Sequence, residues 1–131
     1  MPLADKRTAV VGKAFDFQAE FGMGGDSGEM FAATKGAIMA FTRSLARSLA
    51  PQVRVNCLAP GWIKTAWGDQ ATPYWNERAK KESLLQRWGT PQDVANAALF
   101  LASPAAEFMT GQIIAVNGGL VGSADGTTCD E

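Results

Sequence analysis

The order of the predicted elements indicates an α/β fold built on a parallel sheet. Apolar or β-branched runs at residues 8–11, 53–58 and 112–116 are typical of strands, and segments of helical pattern lie between them. This alternating strand and helix order favours parallel pairing with right-handed crossovers. With 131 residues, the chain is long enough for one domain with its own core.

The first strand is short and leads into a region of loop composition. Residues 8–11 are Thr-Ala-Val-Val, whereas residues 12–27 contain Gly22, Gly24 and Gly25 and show no apolar period. Asp26 is followed three residues later by Glu29, which is the spacing of a capping box. We therefore predict that a helix begins just after Asp26.

The longest helix is predicted over residues 28–50 and ends before Pro51. Small residues in its first half would let another backbone approach it closely. Apolar and small residues also repeat every four positions along one stripe of this helix. The stripe consists of Ala33, Ala37, Phe41, Leu45 and Leu49.

A shorter helix in the second half of the chain has a strong start signal. Thr90 can cap it, Pro91 fits the first helical position, and Asp93 can bond back to the cap. Residues 94–102 are apolar or small nearly all the way round. This helix is therefore predicted to be buried on more than one side, either inside the domain or against a second subunit. A further short helix is predicted near residues 73–85.

Composition and charge exclude several functional classes. The formal net charge is −1 and the Lys and Arg residues are scattered, so no basic stripe for nucleic acid is present. No apolar run is long enough to span a membrane, and the amino terminus lacks the apolar core of a signal peptide, so a cytoplasmic protein is expected. The chain has no histidine, which excludes Ser-His-Asp catalysis and imidazole metal ligands. Cys57 and Cys129 match no zinc spacing, so no metal site is predicted, and Cys57 is expected to be a buried thiol.

Four motifs follow one another along residues 25–119. They are Phe31-x-x-x-Lys35; Val-Arg-Val-Asn at 53–56 leading into Pro-Gly-x-x-x-Thr at 60–65; Arg-Trp-Gly-Thr-Pro-Gln-Asp-Val-Ala at 87–95; and Thr-Gly-Gln at 110–112 ending in Val-Asn-Gly-Gly at 116–119. In this order they resemble the second half of the short-chain dehydrogenase/reductase family, nearest to the 3-oxoacyl-[acyl-carrier-protein] reductase type. The resemblance implies a partial Rossmann-like, doubly wound parallel sheet, with the C-terminal half only. It divides the single partial domain, 1–131, into an atypical segment at 1–24, the family-like half at 25–119 and a tail at 120–131.

The resemblance also implies a cofactor, NAD(P), and a set of contacts for it. Lys35 is at the position that holds the nicotinamide ribose. Pro60, Gly61 and Ile63 are at positions that shape the nicotinamide pocket, and Thr65 is at the position that hydrogen-bonds the carboxamide or a phosphate. Read without the resemblance, the same residues are a solvated or partly buried helix lysine and a set of turn formers.

This sequence departs from the family pattern where the chemistry would occur. The family carries a Tyr four residues before the Lys as its general acid or base, and Phe31 stands there instead. The family's supporting Ser position falls near Gln18, and Tyr74, the only tyrosine, is not expected to replace the missing phenol. The Gly-rich phosphate turn after the first strand is also absent, which puts cofactor binding in question.

Three functional interpretations remain from the sequence. The first is an NAD(P)-dependent oxidoreductase acting on a carbonyl or alcohol, truncated and catalytically deficient alone because Phe31 replaces the Tyr. The second is a noncatalytic assembly or binding module, and the third is a truncated gene product. A homo-oligomer or an association with an intact subunit of the family is expected, without nucleic acid or membrane partners. The first strand corresponds either to the family's opening strand or to the strand just before the long helix.

Overall fold

The computed structural model describes residues 7–13 and 28–119, with side chains from Met30 onward except those of Phe31 and Trp67. The sequence predicts the loop over residues 12–27, but Gly12 and Lys13 belong to β1. The rest of that loop, residues 14–27 with Asp26, lies outside the described residues, as do Cys129 and the predicted tail at 120–131. The described elements, in chain order, are β1 (Arg7–Lys13), α1 (Gly28–Leu49), β2 (Val53–Pro60), α2 (Ala66–Asp69), α3 (Pro73–Glu82), α4 (Pro91–Ala102), a 3₁₀ turn (Pro104–Ala106) and β3 (Ile113–Val116).

The three described strands form one parallel sheet in the order β1–β2–β3. Arg7 of β1 pairs with Val53 of β2, and Cys57 of β2 pairs with Ile113 of β3. The predicted α/β class and parallel pairing are confirmed. Because β1 lies directly beside β2, with α1 between them in sequence, the pairing favours the interpretation of β1 as the strand just before the long helix.

The central strand β2 is buried because helices cover both of its faces. Its side chains alternate between the two faces, as the pleat of a strand requires. Cys57 and Ala59 face α1 and contact Ile38 and Met39. Leu58 faces the other way and packs in a cluster with Leu101 of α4. The prediction that Cys57 is a buried thiol is confirmed.

Helix α1 buries a different face from the one that its sequence pattern suggests. Thr42 and Ala46 are buried, and Thr42 satisfies its hydroxyl by donating to the carbonyl of Ile38 at 2.8 Å. In the predicted stripe, by contrast, Phe41 is 55% exposed, and no backbone lies within 4 Å of a Cβ built on Gly36. A four-residue repeat drifts around a helix of 3.6 residues per turn, and here a polar threonine occupies the centre of the buried face.

Helix α4 begins as predicted, but only one of its faces is buried within the described residues. The capping box is present: Thr90 Oγ1 accepts from the Asp93 amide, and the Asp93 carboxylate accepts from the Thr90 amide at 2.8 Å. Leu101 is fully buried, whereas Leu99 is 70% exposed and Phe100 is also exposed. The prediction of burial on several sides inside the domain is therefore wrong for this part of the chain. Burial against a second subunit stays a prediction.

A buried amide fastens β2 to the crossover that leads into β3. Asn56 is fully buried; its Nδ2 donates to the carbonyl of Met109 and its Oδ1 accepts from the amide of Gln112, both at 3.1 Å. The guanidinium of Arg54 donates to the carbonyls of Met109 and Leu101 at 3.1 and 2.7 Å. These contacts explain physically why the Val-Arg-Val-Asn and Thr-Gly-Gln motifs occur together.

Replacing Asn56 by Ala is expected to destabilise the fold by about 1–3 kcal/mol, because in this fully buried site the Gln112 amide loses its acceptor and the Met109 carbonyl loses one of its two donors. Urea unfolding followed by far-UV circular dichroism measures this loss. Asn96→Ala is the matched control, since Asn96 is exposed and bonds only Gln92 one helical turn away. The control is expected to change stability by less than about 0.5 kcal/mol. Equal losses in the two variants would contradict a special role for the buried amide.

Candidate functional site

The carboxyl ends of the parallel strands collect most of the residues singled out from the sequence. β2 and β3 end at Pro60 and Val116, and the next residue after β2, Gly61, donates its amide to the carbonyl of Val116 at 3.1 Å. Only residues 50–52 separate α1 from the start of β2, so the end of α1 lies at the amino edge of the sheet. Its first turns, with Phe31 and Lys35, therefore lie toward the carboxyl edge, where doubly wound sheets bind ligands.

The six residues implicated by the sequence differ in exposure. Pro60 and Gly61 are buried, Ile63 and Lys35 are partly buried, and Thr65 is exposed just before α2. The side chain of Phe31 is not described, so its place is known from the backbone of α1 alone.

Gly61 is required by the close approach of two turns. A Cβ at this position would lie 2.8 Å from the Cβ and 2.9 Å from the Cα of Asn117, too close for real atoms. Asn117 in turn accepts the amide of Gly119 through its Oδ1 at 2.9 Å. The turn that follows β2 is therefore seated on the turn that follows β3, which fixes the segment that leads to Thr65.

The segment after Gly61 is held on its other side by the approach to α4. The amide of Gly89 donates to the carbonyl of Trp62 at 2.8 Å, and the amide of Lys64 donates to the carbonyl of Gly89 at 2.9 Å. This is a one-residue parallel bridge between Ile63 and Gly89. Residues 61–64 thus run between β3 and the start of α4.

A cleft of about 310 Å³ opens beside this bridge, between the turn after β3 and the start of α4. Of the predicted site residues only Ile63 lines it. The sequence reasoning missed the other polar and aromatic lining residues. For all of them except Ser83, the signal was available in the motifs at 60–65, 87–95 and 116–119, which this cleft brings together. The missed residues include Trp62, Ser83, Arg87, Asp93 and Asn117.

The charges at the rim of the cleft are already paired. Arg87 donates to both carboxylate oxygens of Asp93, at 2.9 and 3.4 Å. The hydrogen bond from Arg87 and that from the Thr90 backbone hold the pKa of Asp93 well below its usual range, and the hydrogen bond to Asp93 raises the pKa of Arg87. Arg87 and Asp93 neutralise each other, and Asp93 also caps α4. The pair therefore stabilises the rim of the cleft and contributes no net charge with which to bind a ligand.

Within residues 28–119, the arrangement offers binding groups but no evident proton donor at the position of Phe31. Tyr74, the only tyrosine, is on α3 and 65% exposed, with its ring against Trp75 at 5.2 Å. In the described part of the chain, no cluster of three or more acidic or cysteine side chains is placed to hold a metal ion. Nor does any described helix have the length and apolar character needed to cross a membrane.

Comparison with known proteins gives consistent matches over this region. A family model described as enoyl-(acyl carrier protein) reductase matches residues 2–121. The 3-oxoacyl-[acyl-carrier-protein] reductase of Chlamydia pneumoniae is 50% identical over 95 residues, which are 69% of this chain and 37% of that protein. A short-chain dehydrogenase/reductase from Brucella melitensis superposes with a TM-score of 0.73 at 34% identity, covering 88% of this chain and 45% of that one.

A third match is a solved complex. A 7α-hydroxysteroid dehydrogenase with NADH and 7-oxo glycochenodeoxycholic acid superposes with a TM-score of 0.73 at 35% identity, covering 87% of this chain and 43% of that one. The chain spans less than half the length of each of these three proteins.

Replacing Gly61 by Ala is expected to destabilise the fold by about 1–3 kcal/mol, because the new methyl group meets the backbone of Asn117. Gly36→Ala is the matched control: Gly36 lies in α1 with open space around its Cβ position, so its replacement is expected to stabilise by about 0.5–1 kcal/mol. Thermal unfolding of the two variants against the unmodified chain measures both effects. A Gly61→Ala variant as stable as Gly36→Ala would contradict the close packing of the two turns.

Proposed function

This chain belongs to the short-chain dehydrogenase/reductase family of oxidoreductases, and we propose that its carboxyl edge forms the nicotinamide side of an NAD(P) site. The observation that carries the proposal is the fixed segment 61–65, which is seated on the turn after β3 and bridged to the start of α4. The relative solved with NADH superposes on 87% of this chain. A rigid backbone edge of this kind suits a flat ligand such as a nicotinamide ring.

The residues of this edge fit the groups of a nicotinamide nucleotide. Pro60 and Gly61 are both buried and fix the backbone of this edge, and the partly buried Ile63 supplies an apolar side chain to the cleft. The exposed hydroxyl of Thr65 suits the carboxamide or a phosphate. The ammonium of Lys35, on the first turns of α1, suits the ribose hydroxyls. The bound nucleotide would supply or accept the hydride.

A carbonyl reductase needs a proton donor as well as a hydride donor, and this chain lacks the family's proton donor. Reduction of a carbonyl places negative charge on its oxygen, which a general acid must neutralise. Phe31 offers neither a proton nor an oxygen at the position of the family's Tyr. We therefore propose that the chain by itself binds the nucleotide and has little carbonyl reductase activity.

A second candidate function is assembly, which a separate observation favours. The predicted apolar stripe of α1 is exposed, with Phe41 at its centre, and α4 exposes Leu99 and Phe100. The two helices lie on opposite faces of the sheet, and exposed apolar side chains of this kind are typical of protein interfaces. We propose a second copy of this chain, or an intact subunit of the family, as the occupant.

Saturable binding of NADPH or NADH in the micromolar range is expected, and quenching of tryptophan fluorescence during titration measures it. Lys35→Met is expected to weaken binding about tenfold, because a charged hydrogen bond to the ribose is lost. Lys81→Met, on the exposed side of α3, is the control and is expected to bind normally. If binding occurs, Phe31→Tyr is expected to raise ketone reduction. No binding of either nucleotide would overturn the proposed site.

The assembly proposal predicts an oligomer in sedimentation velocity at micromolar concentration. Phe41→Ser is expected to shift the population toward monomer, since it removes an aromatic side chain from the centre of the exposed stripe. Tyr74→Ser removes a similarly exposed aromatic ring from α3 and is expected to leave the distribution unchanged. A monomer for the unmodified chain, or equal shifts in both variants, would refute the use of this face.

A further inference from the structure

Trp62 lies between the two parts of the proposed nicotinamide edge, one residue after Gly61 and one before Ile63. Its backbone carbonyl takes part in the bridge to Gly89, as described above. Its indole makes a polar contact: Nε1 donates a hydrogen bond to Oε2 of Glu82 at 2.8 Å. The segment 61–65 is therefore bonded to α3 by a side chain and to Gly89, just before α4, by its backbone.

Glu82 joins this contact to the rest of α3. Its second oxygen, Oε1, accepts from Nε of Arg78 at 2.6 Å, one helical turn away. Arg78 also stands over the ring of Trp75, with 5.3 Å to the centroid. The hydrogen bond to Glu82 raises the pKa of Arg78. The carboxylate thus bridges a cation on α3 and the indole that follows β2, and its side chain is only 20% exposed.

The ring of Trp62 is fixed by two other indoles. It lies 5.9 Å from Trp75 of α3 and 5.8 Å from Trp88, at the approach to α4, with tilted and edge-on geometries. Trp88 provides an internal comparison, because its Nε1 is buried and has no hydrogen-bond partner in the described part of the chain. Stacking in this cluster therefore does not require the indole nitrogen to be bonded, and the bond from Trp62 to Glu82 is a separate constraint.

We propose that Trp62 is a positioning residue, whose hydrogen bond to Glu82 makes the placement of Ile63 and Thr65 depend on α3. The functional part of this inference rests on the proposed nicotinamide site. Movement of α3 would shift the bridge to Gly89 through the indole, and would change the fit of the nucleotide. Trp62 acts through the backbone of residues 63–65 and needs no contact with substrate.

Native-state hydrogen exchange of the Lys64 amide tests the coupling without any nucleotide. That amide bonds the carbonyl of Gly89, so its exchange reports the opening of the segment. Trp62→Phe and Glu82→Ala are each expected to speed its exchange about tenfold, because a charge-assisted hydrogen bond is lost. The double variant is expected to exchange no faster than about the faster single variant, since both changes remove the same bond.

Glu77→Ala is the matched control on the same helix. Glu77 pairs with Lys80 at the exposed surface, so its loss is expected to leave the Lys64 amide unchanged. Amides of β2 serve as the reference for global unfolding in every variant. Exchange at Lys64 that is unchanged in Trp62→Phe and Glu82→Ala, or that multiplies in the double variant, would overturn the proposal.

A second readout separates this inference from the proposed function. If the unmodified chain binds NADPH, Trp62→Phe and Glu82→Ala are expected to weaken binding by similar factors, and Glu77→Ala to leave it unchanged. Equal affinity in Glu82→Ala and the unmodified chain would refute the positioning role while leaving the nucleotide site standing. Absence of binding in the unmodified chain would instead refute the proposed function, and hydrogen exchange alone would then decide the coupling.

Discussion

The buried amide of Asn56 is the interaction on which the rest of the structure depends. A parallel strand must be joined to its neighbour by a long crossover, and the far end of that crossover has backbone groups that no helix or strand satisfies. Asn56 supplies one donor and one acceptor to those groups, at Met109 and Gln112. The register of β3 against β2 is set at this point. The positions of the residues at the carboxyl edge depend on that register, including the contact of Gly61 with Asn117.

The proposed site is consequently more a property of backbone geometry than of reactive side chains. Two turns touch at Gly61, and a single bridge at Gly89 fixes the following residues. The charged groups nearby stabilise the fold. Arg87 and Asp93 pair with each other, and Asp93 also caps α4. An edge of this kind can present a shape to a flat ligand at little cost in reorganisation. It supplies no group at the position of Phe31 that could move a proton, and the proposal of nucleotide binding with little catalysis depends on this point.

The sequence predicted the elements well because their signals are local. Thr90, Pro91 and Asp93 define the start of α4 within four residues, and the apolar strand pattern of β2 needs no distant information. The faces of the helices were harder to predict. The pattern in α1 pointed to Phe41, but the sheet packs against Thr42, whose hydroxyl is satisfied within the helix. A buried polar residue of this type is invisible to a search for apolar periodicity. The cleft was missed for another reason, since it joins three motifs that are far apart in sequence.

The exposed apolar surface and the proposed nucleotide site are linked through α1. The described part of this chain leaves Phe41 of α1, and Leu99 and Phe100 of α4, exposed to solvent. Phe41 lies in the half of α1 nearer the amino edge, so a partner that covers it would act on the carboxyl edge through the helix and not by direct contact. Binding of a partner and binding of the nucleotide would then favour the same assembled state, because both would stabilise the packing of α1, whose first turns carry Lys35. A chain that binds the nucleotide weakly alone and more tightly when assembled would follow from this coupling, without any change in the residues of the edge itself.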